Sequence, residues 1–342
     1  MTTKAAGISF ERRGALGREI PVLVVGADRY SLGSATDDID AAFLASDGVE
    51  MEIRAQRAGK LKITTGTEQE RVGAPIAKPA KIVCNGLSYH DHAVETGAMV
   101  PLEPLEPLEP LEPLEPLEPI VFMKDLSTIA GPFDDVRIPR GSTKTDWEVE
   151  MDVVISRTTR YLDNPEQAQN HIAGYVISHD VSDREFQLER GGRWDKGKSC
   201  ETFNPLGPVL VPRDQIGDPQ ALGITLSVKG KNAAWPQRTD DLLGGLLSFI
   251  FSQFMVLHPG DLVNSGTPAG VALGRAGQPY LRGRCRGVRD GGTRTMPSAF
   301  RRLGRSMLAG PTPPQRALAA IPARIKDPIE KGERQCPAHA RS

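Results

Sequence analysis

Paired cysteines are missing from this sequence. The four it has, Cys84, Cys200, Cys285 and Cys336, lie far apart, with neither the spacing of a zinc knuckle nor the density of a disulfide scaffold. That usage fits a reducing cytoplasm. Long apolar runs are missing too: the longest, near Leu242 to Met255, is broken by glycines and polar residues, and the opening MTTKAAGISF has no apolar signal core. The expectation is a chain that does not span a membrane. Sustained helical periodicity is equally scarce, because 35 Gly and 28 Pro dictate frequent turns and argue against a helix bundle.

What is present is enough to fold. At 342 residues, 39% hydrophobic and 25% charged, the chain can bury a sizeable core as one large domain with an appendage, or as two domains. The net charge of −1 hides a division. From Arg275 onward there are fifteen Lys or Arg, thirteen of them Arg, against four Asp or Glu, so this end carries +11 and the rest −12. Residues 282–342 read as a basic tail of no selected structure; a nucleic-acid-binding arm is the reading set aside.

Along the chain, residues 1–75 form a small α+β module, with a strand over Ile20 to Gly26 and a helix opened by Thr36, Asp37 and Asp38. The turn-rich join VGAPIAKPAK leads to an apolar run, Lys81 to Cys84, and then to GLSYHDHAVETG, a pattern of strand, turn and short helix. Residues 101–119 are six copies of Pro-Leu-Glu closed by Pro119; a proline at every third position denies the segment helix and sheet, leaving extended polyproline II in a surface loop. The remainder of 76–281 alternates strand patterns (Glu148 to Ile155, Gly174 to His179, Gly223 to Val228) with turns and one apolar helix, Asp241 to Leu257. The fold class is therefore α+β and strand-dominated.

The chemistry gathers in a few segments. In DWEVEMDVVIS, Trp147, Val149, Met151, Val153 and Ile155 alternate with Glu148, Glu150 and Asp152, the period of two of a half-buried strand. Glu148 and Glu150 thus project side by side, and such neighbours need a cation or solvent between them. Asp180 ends the run GYVISHD, where it can supply a third oxygen ligand. Three acids with open water positions suit Mg²⁺ or Mn²⁺, with Ca²⁺ as an alternative, and the lack of a His/Cys cluster argues against zinc. His92 and Glu95, three apart in an expected helical turn, match either a water-activating pair or a surface ion pair. Lys198 lies in the glycine-bearing loop RWDKGKSCETFNPLG, and Thr267 in the small-residue turn GTPAGV, 266–271, whose hydroxyl and amides can hold a carboxylate; each is also compatible with an ordinary surface role.

Read together and in this order, GLSYHDHAVETG, FMKDLSTIAGP, TDWEVEMDVVI, GYVISHDVSDREFQLERGGRWDKGKSCETFNPLGP, SQFMVLHPGD and NSGTPAGVALG resemble the fumarylacetoacetate hydrolase family over roughly residues 75–281. The stretch DREFQLERGG to WDKGKSCETF is most similar to a bacterial branch containing 2,4-dioxo-3-deoxy-sugar-acid hydrolases and proteins labelled ureidoglycolate lyases. The resemblance implies a mixed β-roll, usually dimeric. It implies that Glu148, Glu150 and Asp180 hold a divalent metal and that His92 and Glu95 activate water. Lys198 and Gln187 would contact the reacting oxygens, while Lys124 and Thr267 line the substrate site, Thr267 near the substrate carboxylate. The Pro-Leu-Glu repeat would fall in a lid that orders over substrate.

The activity implied is metal-dependent cleavage of a carbon–carbon bond in a small 2,4-dioxo acid. Decarboxylation, dienoate tautomerisation or a lyase reaction at the same centre are the alternatives, as is a weakly folded paralogue without turnover. Three departures stand out: Ser88 where Asn is common, AAWPQRT at 233–239, and RGRCRGVRDGG after Leu281 in place of a strand of alternating Asp, Val and Glu.

Overall fold

The computed structural model describes residues 7–86, 92, 95–96, 120–219, 222–228, 231–238, 245–282 and 285–286. These belong to one compact unit. The Pro-Leu-Glu repeat, Ser88, Cys336 and almost all of the basic tail lie outside the described residues.

The leading segment forms an antiparallel sheet of β1 (Ile8–Arg13), β2 (Ile20–Val25) and β3 (Asp28–Ser31), in that order. Two helices follow, α1 (Ala41–Ala45) and α2 (Gly48–Arg57). The first begins later than Thr36: Asp40 caps it by accepting the N–H groups of Ala42 and Phe43, both at 3.0 Å, and so satisfies two otherwise orphaned donors. Thr36 instead donates its hydroxyl to the Asp38 carbonyl at 2.7 Å, closing a turn.

Beyond the join come β4 (Ile82–Gly86), β5 (Ile120–Lys124), β6 (Val149–Ile155), β7 (Ile172–His179), β8 (Val211–Pro212), the hairpin strands β9 (Gly223–Val228) and β10 (Lys231–Arg238), and β11 (Leu262–Asn264). Short helices α3 (Pro165–Gln169), α4 (Trp194–Lys198) and α5 (Gly245–Ser252) connect them. Six strands make a mixed sheet in the order β8-β7-β6-β11-β4-β5; β11 and β4 run parallel, and every other pair is antiparallel. No described helix is long and apolar enough to cross a membrane.

The sheet is covered on both faces. Val149, Met151, Val153 and Ile155 of β6 enter one core with Tyr175, Leu247, Phe251 and Val263. Val154 enters the other, with Ile82, Leu262 and the N-terminal Phe10, Leu23 and Phe43. Consequently β6 is buried along its whole length rather than half-exposed. Alternation had left either a cation or solvent beside the acids on a half-buried strand; the leading sheet covers one end of that face and buried cations cover the other. Phe10 and Leu210 exchange backbone hydrogen bonds at 2.8 Å, tying the leading sheet to this core. Arg71 adds an ion-pair link, donating to Glu19 at 2.6 Å and to Asp134 at 2.8 Å.

Three local differences from the sequence expectation have physical reasons. Helix α5 stops at Ser252, short of Leu257, because Leu257 and Thr159 exchange backbone hydrogen bonds at 2.9 Å in a bridge. The β9–β10 ladder slips on either side of Leu226, opposite a run containing Pro236, which has no N–H to donate. Past Leu281, Cys285 and Arg286 still pair antiparallel with Val136 and Asp135, so regular structure continues a few residues into the basic segment.

At Gly174 the backbone of β8 approaches closely: a Cβ there would lie 2.1 Å from the Val211 carbonyl oxygen, whereas one on exposed Gly217 would meet nothing. Gly174→Ala is expected to destabilise the protein by about 1–3 kcal/mol, lowering the thermal midpoint by several degrees, while Gly217→Ala leaves it in place. Differential scanning calorimetry of the two variants checks this.

Candidate metal centre and catalytic cleft

The register of β6 against β7 pairs Glu150 with Ser178, so the end of β7 lies beside the start of β6. Asp180 follows β7 directly and meets Glu148 and Glu150 there. One carboxylate oxygen from each of the three lies within 4.8 Å of the other two, and all three residues are buried. The triad singled out in the sequence is therefore brought together.

Three cations surround it. Lys198 Nζ donates to Glu148 Oε2 and Asp180 Oδ2, both at 2.6 Å. Arg184 donates to Glu148 Oε1 at 2.6 Å, to Asp146 Oδ2 at 2.8 Å and to Gln187 Oε1 at 2.9 Å. Lys124 donates to Asp180 Oδ1 and, at 3.3 Å, to the Val181 carbonyl. The five buried acids Asp146, Glu148, Glu150, Asp152 and Asp180 thus outnumber the three buried cations by two, and burial pushes two of them, Glu150 and Asp152, well above their usual range, so that they tend to hold protons. Burial opposes ionisation of Glu148, but Lys198, Arg184 and His92 outweigh it and hold the carboxyl well below its usual range. Glu150 goes the other way: burial, reinforced by Asp180, Asp152 and Glu148, pushes it well above. Three converging hard oxygen donors, in a cluster where acids outnumber cations, fit a divalent ion such as Mg²⁺ or Mn²⁺ held by Glu148, Glu150 and Asp180.

His92 lies at the same cleft, its Nδ1 3.2 Å from Glu95 Oε1. That oxygen also accepts the Gly270 N–H at 2.8 Å and the Val271 N–H at 3.3 Å. Although burial resists its ionisation, the hydrogen bonds from His92 and Gly270 keep Glu95 below its ordinary value. An ionised Glu95 keeps the proton on Nδ1 and leaves Nε2 as the basic nitrogen.

The cleft has a volume of about 180 Å³. His92, Glu148, Glu150, Gln187, Lys198 and Thr267 all line it. Thr267 donates its hydroxyl to the Val149 carbonyl at 3.1 Å. Lys124 is not on the wall; it sits behind Asp180 as a counter-charge. Lys198, read as a loop residue, ends α4 instead, and Gly197 is the reason: a Cβ there would lie 2.5 Å from Gln187 Cβ, so only glycine lets α4 press against the single π-helical turn Glu185–Glu189 that carries Gln187.

Sequence reasoning missed Arg184, Asp146, Phe122 and Trp194. Arg184 is one charge in the charged run SDREFQLERGG, and nothing in its spacing marks it as the one turned inward. Asp146 gains its role from distant partners, accepting the N–H groups of Ala272 at 2.7 Å and Leu273 at 3.0 Å.

A family model described as the fumarylacetoacetate (FAA) hydrolase C-terminal region matches residues 81–294, beyond the limit of Leu281 that the motifs suggested. The chain belongs to the fumarylacetoacetate hydrolase family. It is an enzyme of that family, and its described part has the strand-dominated α+β fold of family members. A protein of Burkholderia ambifaria provisionally named as a hydrolase is 38% identical over 272 residues, covering 79% of this chain and 90% of its own length. The solved structure of a fumarylacetoacetate hydrolase from Exiguobacterium antarcticum is 27% identical with a TM-score of 0.62, covering 80% of this chain and 92% of that one. That of a 2-hydroxyhepta-2,4-diene-1,7-dioate isomerase from Mycobacterium marinum is 25% identical with a TM-score of 0.54, covering 77% and 88%.

Because Glu150 must be ionised to ligate a cation while its surroundings raise its pKa, cation binding is expected to release protons, and affinity to rise with pH. Calorimetric titration with Mn²⁺ in buffers of different ionisation enthalpy should show this release, larger at lower pH than at higher pH. Glu150→Gln should abolish it; a binding enthalpy indifferent to the buffer would contradict the assignment.

Proposed function

We propose that this family member is a divalent-metal-dependent hydrolase acting on a small 2,4-dioxo carboxylic acid, breaking the C3–C4 bond to give pyruvate or a related 2-oxo acid and a second carboxylic acid. The observation that supports it is the buried triad Glu148, Glu150 and Asp180, two of whose acids line one cleft with His92, itself paired with Glu95. When bound, a Mg²⁺ or Mn²⁺ ion, or Ca²⁺ in their place, supplies Lewis acidity toward the 2-oxo carboxylate. Glu95 orients His92 so that Nε2 takes a proton from water as the water oxygen attacks the C4 carbonyl carbon. Lys198, buried between Glu148 and Asp180, offsets negative charge developing on the substrate oxygens, and Arg184 holds Glu148 and Gln187 in place. As the C3–C4 bond breaks, its electron pair goes to C3, which then takes up the proton His92 carries. Thr267, beside Val149 on the wall, is placed to meet the substrate carboxylate. The same reading has the enzyme working as a homodimer.

A second reading, dienoate tautomerisation or oxo-acid decarboxylation at this centre, is favoured by the likeness to the Mycobacterium marinum isomerase. Neither reaction uses water as a nucleophile, so the water-activating pair tilts the choice to hydrolysis.

The test is a screen of 2-oxo and 2,4-dioxo acids with Mg²⁺ and Mn²⁺, products read by mass, in water enriched in heavy oxygen. Hydrolysis puts the heavy oxygen in the second acid; carbon dioxide release without such incorporation would favour decarboxylation instead. Glu148→Ala should abolish pyruvate formation, and unchanged turnover would remove the metal from the mechanism. His92→Ala should slow hydrolysis by about 10²–10⁴-fold, the usual contribution of a general base.

A further inference from the structure

The cations on the cleft wall are spent on its own acids, Arg184 on Asp146 and Glu148, Lys198 on Glu148 and Asp180. The hydroxyls of Thr96 and Thr267 donate to the carbonyls of His92 and Val149. Asn85 reaches the wall as well, but its amide atoms are enclosed. With His92, Glu150 and Gln187 taken up at the reacting end by the hydrolase reading, what the other described lining residues present to the remaining space is carbon, from Phe122, Trp194, Leu188 and Leu273. These side chains extend outward from the reacting end. Lys198 Nζ, 2% exposed as a residue, lies 5.0 Å from the ring centre of Phe122, which is 7% exposed. Phe122 in turn packs against half-buried Trp194 with ring centres 5.4 Å apart, and Leu188, at the mouth, is 46% exposed.

The indole is held in place by construction. A Cβ on Gly86 would come within 2.3 Å of Trp194 Cζ3, so glycine at this position lets the ring lie directly against β4. Helix α4 is pinned to the edge strand β5, Asp195 Oδ1 accepting the Met123 N–H at 3.1 Å and Ser199 Oγ accepting the Asp125 N–H at 3.0 Å.

We propose that Phe122, Trp194 and Leu188 form a subsite for an apolar tail on the substrate, so that the second product is a monocarboxylic acid with an aliphatic or aromatic chain. A polyhydroxylated or carboxylate-ended tail would lose water against Phe122, Trp194 and Leu188 without gaining a partner from these side chains. The inference takes its reaction from the hydrolase reading, but the subsite itself is a statement about binding.

Two arms test it separately. In the first, the wild-type enzyme in the presence of Mn²⁺ is titrated with 2-oxohexanoate and with its diacid counterpart 2-oxoadipate. The monoacid is expected to bind at least about tenfold more tightly, since each buried methylene contributes about fourfold. In the second, kcat/KM is compared for 2,4-dioxooctanoate and the corresponding dioxo diacid, with the same preference expected. Trp194→Ala should bring both ratios close to one, and Leu188→Arg, at an exposed position that tolerates a long side chain, should shift them toward the diacid. Equal or tighter binding of the diacid, failure of both ligands to bind, or ratios unmoved in both variants overturns the subsite. Discrimination in binding with no turnover of any dioxo acid leaves the subsite standing and sinks the hydrolase reading.

Discussion

Mutual repulsion among buried carboxylates governs this structure. Glu148, Glu150 and Asp180 are forced together by the pairing of β6 with β7, in a place where withdrawing each charge from water costs several kcal/mol. Lys198, Arg184 and Lys124 compensate part of that cost through short, directed contacts to Glu148 and Asp180, and leave Glu150 with its pKa raised. Such a centre can relieve the repulsion by holding protons on Glu150 and Asp152 or by exchanging protons for a divalent cation. Low local dielectric strengthens every attraction and repulsion in it, so its chemistry depends on what keeps water out.

The seal comes from two directions. The leading sheet closes the far end of the acid-bearing face, where Val154 joins Phe10, Leu23 and Phe43. Near the centre, the segment 266–273 is strapped down by acids at successive points. Glu150 accepts the Gly266 N–H, Glu95 accepts those of Gly270 and Val271, and Asp146 accepts those of Ala272 and Leu273. One loop therefore touches the acidic triad, the His92–Glu95 pair and the Asp146 anchor of Arg184 together. That coupling ties catalytic geometry to local stability more closely than separate side-chain contacts would.

Much of the site was legible because its residues have strong local signatures. The period-two alternation of 147–155 placed Glu148 and Glu150 on one face, and the strand ending in Asp180 supplied the third acid. The His92–Glu95 spacing survives as a hydrogen-bonded pair. Legibility failed where a role depends on distant partners. Nothing near Arg184 in the chain shows that it reaches Asp146 and Glu148, nearly forty positions earlier. The apolar wall is likewise assembled from β5, α4 and the π turn, three segments with unremarkable local patterns.

The sequence alone determined the strand-dominated fold class, the acids that share a face and the family whose motifs run in this order, since each rests on local periodicity or on contiguous residue patterns. Only the tertiary structure decided that the acid face is buried rather than wet and that Lys124 stands behind Asp180 instead of on the cleft wall. The same holds for the excess of buried acids over buried cations at the centre. Those facts depend on which elements pack together, and packing brings into contact groups whose separation along the chain carries no information about their distance in space.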